Sequence, residues 1–191
     1  MDDPNEQPPM VILLSGYARA GKDTFAKGLI KGAKTSTARL AFGDQLKSAA
    51  DEFLTYLGLA DHSFFHEGFK VKHRDVLVTL GTMARSLDKD VFANALCDKA
   101  IEMDAFHIVV TDCRYANEVK VVKGTLGELD GYKVVHIRIE TEGVLPANDE
   151  ERRSFEEMDR ETPPDYIISF HPEAGEAIVE HGAKWAKVLN L

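Results

Sequence analysis

Apolar residues come in two rhythms along this chain, and their alternation predicts its architecture. Val11-Ile-Leu-Leu14 is a short unbroken apolar run, the pattern of a fully buried strand, and Phe106-His-Ile-Val-Val110, Val134-Val-His-Ile-Arg-Ile139 and Tyr166-Ile-Ile-Ser-Phe170 read as further apolar strands. Ala38-Arg-Leu-Ala-Phe42 reads as a further short strand. Between the runs the spacing turns helical: Phe25, Leu29 and Ile30, then residues 43–57, 74–80, 90–101 and a closing helix over 173–191. Gly81-Thr82 interrupts or tightens one of these paths, and residues 61–72 read as a loop. Strands alternating with helices predict an α/β fold: a central parallel sheet flanked by helices on both faces.

At 191 residues the chain can bury a full core, so one domain with an insertion is expected rather than two. No internal repeat is visible. His62, His66 and His73 lie in or beside the loop at a spacing that matches no zinc motif. Cys97 and Cys113 are read as buried thiols in a reducing compartment. The acidic, proline-rich residues 1–9 lack the basic and apolar start of a signal peptide and are expected to be a frayed leader. No run approaches the roughly 18 apolar residues of a membrane span, so no membrane association and a cytoplasmic location are expected. The formal net charge of −9 argues against binding a nucleic acid polymer, which needs Lys and Arg to neutralise phosphates.

The candidate chemistry begins after the first strand. Gly16-Tyr-Ala18-Arg19-Ala20-Gly21-Lys22-Asp23-Thr24 has the form GxxxxGK between a strand and a helix, the setting of a phosphate-binding loop. Backbone N–H groups of such a turn surround phosphate oxygens, and the helix N-terminus and Lys22 supply positive charge. The usual Ser or Thr after the lysine, a ligand of Mg²⁺, is replaced by Asp23, with Thr24 one place later. Beside a triphosphate, Asp23 must act through Mg²⁺ or its waters, face the acceptor, or complement the helix dipole.

A second site-like edge is Asp112-Cys-Arg114, at the end of the strand beginning at Phe106. Ligands of open parallel sheets bind beyond the carboxyl ends of strands, where this edge and the phosphate loop both fall. Asp112 is a candidate Mg²⁺ holder, through water, or an N-cap of the following helix. Transfer between two phosphates needs cations, and Lys22, Arg74, Arg85, Arg114, Arg138, Arg152 and Arg153 come from separate regions. Arg152 and Arg153, in the charged excursion before Pro163, would close over ATP or belong to a solvated face.

Together the segments LSGYARAGKDT, FGDQLK, RDVLVTLGTMAR, DVFANAL, TDCRYANE and DYIISF resemble, in order, the phage-type deoxynucleoside monophosphate kinases of the P-loop kinase superfamily. The resemblance implies ATP-dependent phosphorylation of deoxynucleoside monophosphates with Mg²⁺, in a host cytoplasm if the chain is phage-encoded. With the residue readings above, the expected ATP site is Gly16, Ala18, Arg19, Ala20, Gly21, Lys22, Asp23 and Thr24 with Arg152 and Arg153, and Lys22, Arg114 and Asp112 are expected at the transfer itself. Asp44, Lys47, Arg74, Arg85 and Arg114 would serve the acceptor, and Asp23 and Asp112 the metal. Three places depart from the family pattern: Val78 stands where it has glutamine, Arg153-Ser-Phe-Glu156 only loosely echoes its lid pattern H-x-S/T-E, and Arg138 lies one place before an arginine often found near that strand's end. The expected layout is a P-loop NMP-kinase-like core (10–42, 105–140 and 165–191), a helical acceptor-binding region (43–104) and a lid (141–164). Base preference and oligomeric state, a homodimer included, stay open. The rivals are a dephospho-CoA or phosphomevalonate-type kinase and, from another class, a nucleotide-dependent regulatory switch.

Overall fold

The structure, a computed structural model, describes residues 8–191; the start of the chain up to Gln7, and with it most of the expected leader, lies outside the described residues. Strands β1 (Met10–Ser15), β2 (Thr37–Leu40), β3 (His107–Cys113), β4 (Lys133–Thr141) and β5 (Tyr166–Phe170) form one parallel sheet in the order β2-β3-β1-β4-β5. The helices are α1 (Lys22–Gly32), α2 (Phe42–Tyr56), α3 (Glu67–Lys72), α4 (Arg74–Leu87), α5 (Val91–Glu102), α6 (Ala116–Val122), α7 (Asp149–Glu161) and α8 (Ala177–Leu189), with a π-helical stretch, Lys123–Leu129, continuing α6.

β1 is central and wholly buried because its side chains alternate between two apolar layers. Ile12 and Leu14 join Phe25 and Leu29 of α1 and Ile178 and Leu189 of α8. Val11 and Leu13 join Leu96 of α5, Val119 of α6 and Met158 of α7. In the first layer α1 and α8 touch backbone to backbone. A Cβ on Gly28 would lie 2.2 Å from the Val179 carbonyl oxygen, and one on Gly182 2.4 Å from that of Phe25. The helix that opens at the loop 16–24, the expected phosphate loop, is therefore clamped along its length. A third, smaller cluster of Ala50, Phe64 and Leu77 holds the helices between β2 and β3 together.

Three elements differ from the sequence pattern. Residues 67–72 form α3, because Phe69 packs against Phe64 (5.0 Å between centroids), His62 (5.1 Å) and His73 (4.5 Å), a cluster that the polar composition hides. α4 runs unbroken through Gly81, where a Cβ would approach Leu46 of α2 to 3.1 Å; the glycine marks a tight helix crossing, not a break. Phe42 starts α2 instead of ending β2. Among the described residues no helix is long and apolar enough to cross a membrane.

Candidate active site

The loop between β1 and α1 is built on backbone conformations that side chains oppose. Gly16 has φ 143°, and a Cβ there would meet the Ile139 carbonyl oxygen of β4 at 2.2 Å. Gly21, φ 87°, is the left-handed N-cap of α1, and Arg19 takes φ 69° despite its side chain. No side chain caps α1, so its first-turn N–H groups remain for an anion. Lys22 donates to the carbonyls of Gly16 (2.7 Å) and Tyr17 (2.9 Å), closing the loop on itself. Burial lowers the Lys22 pKa, with the Arg114 charge adding to it, while Asp23, Glu151 and Asp112 pull the other way. Asp23 is exposed in the first turn, where it complements the helix dipole; Thr24 is half-buried, Ala18 exposed and Ala20 buried. Thr141 Oγ1 donates to the Ala20 carbonyl (3.2 Å), tying the loop to β4. Beneath it, the Ser15 hydroxyl meets Nε2 of His136 at 2.8 Å. Burial pushes His136 down to about 4, so the ring is neutral at neutral pH.

Because β3 is the neighbour of β1, its C-terminal loop meets the phosphate loop. Asp112 does not cap the helix that follows it. Its two carboxylate oxygens accept from the N–H groups of Phe42 (2.8 Å) and Gly43 (2.9 Å), fastening the start of α2 to the sheet. Burial pushes its pKa up, while those two bonds pull it down. The start of α6 is held by Glu118, whose Oε2 accepts from the N–H groups of Arg114 (2.8 Å) and Tyr115 (3.1 Å). Glu118 was not singled out as a site residue from the sequence; its place three residues after Tyr115, in a capping box, was the available signal. Burial raises its pKa to about 7.

The structure brings Arg74 of α4, Arg114 and Ala18 of the phosphate loop to the wall of one cleft of about 130 Å³, shared with Tyr115 and with Glu150 and Glu151 of α7. Arg85 is not among the residues lining that cleft; its guanidinium lies over the rings of Phe92 (5.0 Å) and Tyr115 (5.1 Å), which braces one wall. Asp44 and Lys47 pair with each other at 2.6 Å, and Asp44 also accepts from Arg39 (2.7 Å). Burial raises the Asp44 pKa, but the bonds from Lys47 and Arg39 outweigh it and lower it overall.

In α7, Ser154, Phe155 and Met158 face inward, which leaves Arg152 and Arg153 exposed, Arg152 in a pair with Asp149 (3.0 Å). The α7 side chain that reaches the phosphate loop is an acid, Glu151, which sequence reasoning did not select. Arg138 of β4 is buried, paired with Asp159 of α7 and stacked over Phe155 (5.1 Å). Its Nε and Nη2 have no partner among the described residues, and it lines a second cleft of about 270 Å³ beside Gly16 and Tyr17.

No protein-family model matches this chain, and no curated protein matches it. Among solved structures it is similar to the Mycobacterium tuberculosis APS kinase CysC in complex with AMPPNP and APS, at 18% identity and TM-score 0.52, over 97% of this chain and 100% of that one. A cysteine-to-alanine mutant of the same kinase gives 16% identity and TM-score 0.51 over the same shares. A weaker likeness, 11% identity and TM-score 0.48 over 97% of each chain, is to shikimate kinase from Acinetobacter baumannii in complex with shikimate. The chain thus shares the α/β fold of these APS kinase structures, with a parallel five-stranded sheet flanked by helices.

Proposed function

We propose that this chain transfers the γ-phosphoryl group of ATP to the phosphate of a small acceptor, and that the acceptor is a deoxynucleoside 5′-monophosphate, giving dNDP and ADP. The observation that carries the reading is the convergence of Arg74 and Arg114, from distant parts of the chain, on a cleft whose other wall is Ala18 of the phosphate loop. Two fixed cations opposite an anion-binding loop suit a reaction in which negative charge lies on donor and acceptor alike. A hydroxyl acceptor would need a proton taken from it, whereas a phosphate arrives ionised. Alignment and charge stabilisation are then enough.

In this reading the N–H groups at the start of α1 hold the donor phosphates. Lys22 leaves the Gly16 and Tyr17 carbonyls to follow the moving phosphoryl group, and Arg74 and Arg114 fix the acceptor phosphate. Mg²⁺ arrives with the triphosphate and needs only one or two protein groups. Both Asp112 oxygens keep a lone pair beyond their backbone bonds, which fits a contact through water, and Asp23 is the second candidate. Bound there, the ion would neutralise phosphate charge.

The choice of a deoxynucleotide rests on the ordered sequence motifs. The APS kinase named above suggests the contrasting acceptor for the test. ADP release is to be measured with ATP and Mg²⁺ against the four common deoxynucleoside monophosphates, the ribonucleotides, dephospho-CoA and APS, with a control lacking acceptor. Release confined to nucleoside monophosphates supports the proposal. Release with another acceptor transfers the assignment to it, and nucleotide binding without acceptor-dependent release points to a regulatory module.

A further inference from the structure

The Glu151 carboxylate divides its oxygens between two backbones. Oε1 accepts from the Ala18 N–H at 3.1 Å, and Oε2 accepts from the Ala147 N–H at 2.6 Å. Its position is fixed locally, because Asn148 caps α7 by accepting from the Glu151 N–H at 2.8 Å. Ala18 belongs to the loop that in the reading above holds donor phosphates. A protein carboxylate thus takes a loop N–H group suited to a phosphate oxygen, and its negative charge acts on Lys22 in the same sense as a phosphate.

Around this contact α7 is pinned to both banks of the cleft. The rings of Tyr17 and Phe155 stand 4.8 Å apart, Tyr115 donates its hydroxyl proton to Glu150 (2.9 Å), Ser154 donates to the Arg114 carbonyl, and Arg138 pairs with Asp159. The space left beside Arg74 and Arg114 is about 130 Å³. Sites for small molecules run to roughly 300–1,000 Å³, so this cleft is small for a nucleotide with α7 in place.

We propose that Glu151 is an internal competitor of nucleotide phosphate: its carboxylate occupies a phosphate-loop N–H in the unliganded chain, and an entering triphosphate displaces it and frees α7 from the cleft. This rests on the phosphate-loop reading above. Two anions cannot share one N–H donor, and their repulsion at this distance favours departure of the one carried on a movable helix. The contact also discriminates. A lone inorganic phosphate must replace Glu151 with few contacts of its own, while a triphosphate brings many.

The test is equilibrium binding of a fluorescent ATP analogue with Mg²⁺ and no acceptor, to the wild type, Glu151→Gln, Glu151→Ala and Lys22→Ala. It is paired with hydrogen exchange over residues 147–161, with and without ATP. Glu151→Ala is expected to bind about tenfold more tightly than the wild type. Glu151→Gln, which keeps an acceptor oxygen but no charge, is expected in between. In the wild type ATP should speed exchange in α7, and in Glu151→Ala exchange should be fast already. Variants that bind equally or more weakly, or α7 protection that ATP leaves unchanged, overturn the proposal. If the wild type and all variants fail to bind, the phosphate-loop reading falls with it, an outcome distinct from binding that Glu151 does not affect. Should Glu151→Ala not fold, the isosteric Glu151→Gln and the wild-type exchange decide the matter.

Discussion

On one side of the cleft the phosphate loop springs from β1, every residue of which is buried, and enters α1, which α8 clamps through Gly28 and Gly182. On the other side Arg74 stands on α4, which buries only Leu77 and Gly81, beside α3, which buries no residue. The second region also carries apolar side chains that find no cover among the described residues, Tyr56 at 87% exposure and Leu87 at 82% among them. Few buried apolar contacts mean low local stability. The comparison teaches a division of labour: in the proposed function the donor side is held rigidly, where the geometry of a triphosphate never varies, and the acceptor side is loosely held, where a ligand has to enter and be enclosed.

The sharpest way to break that division is Lys22→Ala. Acceptor-dependent ADP release should fall by at least about 10²–10³-fold, as when one charge-stabilising group of an active site is removed. The melting temperature should hardly change, because the core beneath the loop is untouched. Sustained turnover would remove Lys22 from the transfer, and unfolding would show that the loop itself holds the donor side together.

Paired core truncations sharpen the comparison in stability units. Ile137→Ala, at a fully buried position of β4, should cost about 2–5 kcal/mol in urea denaturation. Leu77→Ala should cost about 1–2 kcal/mol, because a sparsely packed site collapses around the gap. Equal losses would erase the distinction. Arg74→Ala and Arg114→Ala should each raise the acceptor KM by about 10–100-fold, the loss of a charge-assisted contact, while the ATP KM moves by less than about twofold. A matching rise for ATP would mean that the two arginines belong to the donor side.

The smallest expected effect is a slope. The folded pKa of Glu118 is about 7, above the ordinary value for glutamate, so its contribution to stability is present at acid pH and lost as pH rises toward and through 7. Glu118→Gln should flatten that part of the stability profile by at most about 1.4 kcal/mol per pH unit. An unchanged profile from thermal melts across pH 4.5 to 7 would mean that the carboxyl under Arg114 is not held at a raised pKa.

The buried strands were legible because parallel sheets demand unbroken apolar runs, and the loop after β1 because glycines at fixed spacing have few substitutes there. The Tyr166–Phe170 run is β5 to the residue, although as the edge strand of the sheet it buries only Ile168. The contacts that give the site its present shape were not legible. Glu151 meets Ala18 across 133 positions of sequence, and no periodicity encodes such a meeting. In α7 the charge of Arg152 and Arg153 drew attention, while the buried trio Ser154, Phe155 and Met158 decided which face turns inward. Asp112 reads from the sequence as a Mg²⁺ holder or the N-cap of the helix after it, yet it binds the start of a helix 69 residues away, a tie set by strand order rather than local pattern.

The backbone contact of α1 with α8 also has a consequence in time. α1 ends at Gly32, but the glycine it leans on, Gly182, is made only after every strand of the sheet. Until then α1 lacks its clamp, and long-range contacts of this kind form slowly because the intervening chain must first be ordered. The loop at the head of α1 therefore takes its settled shape only after the sheet beneath it has been made.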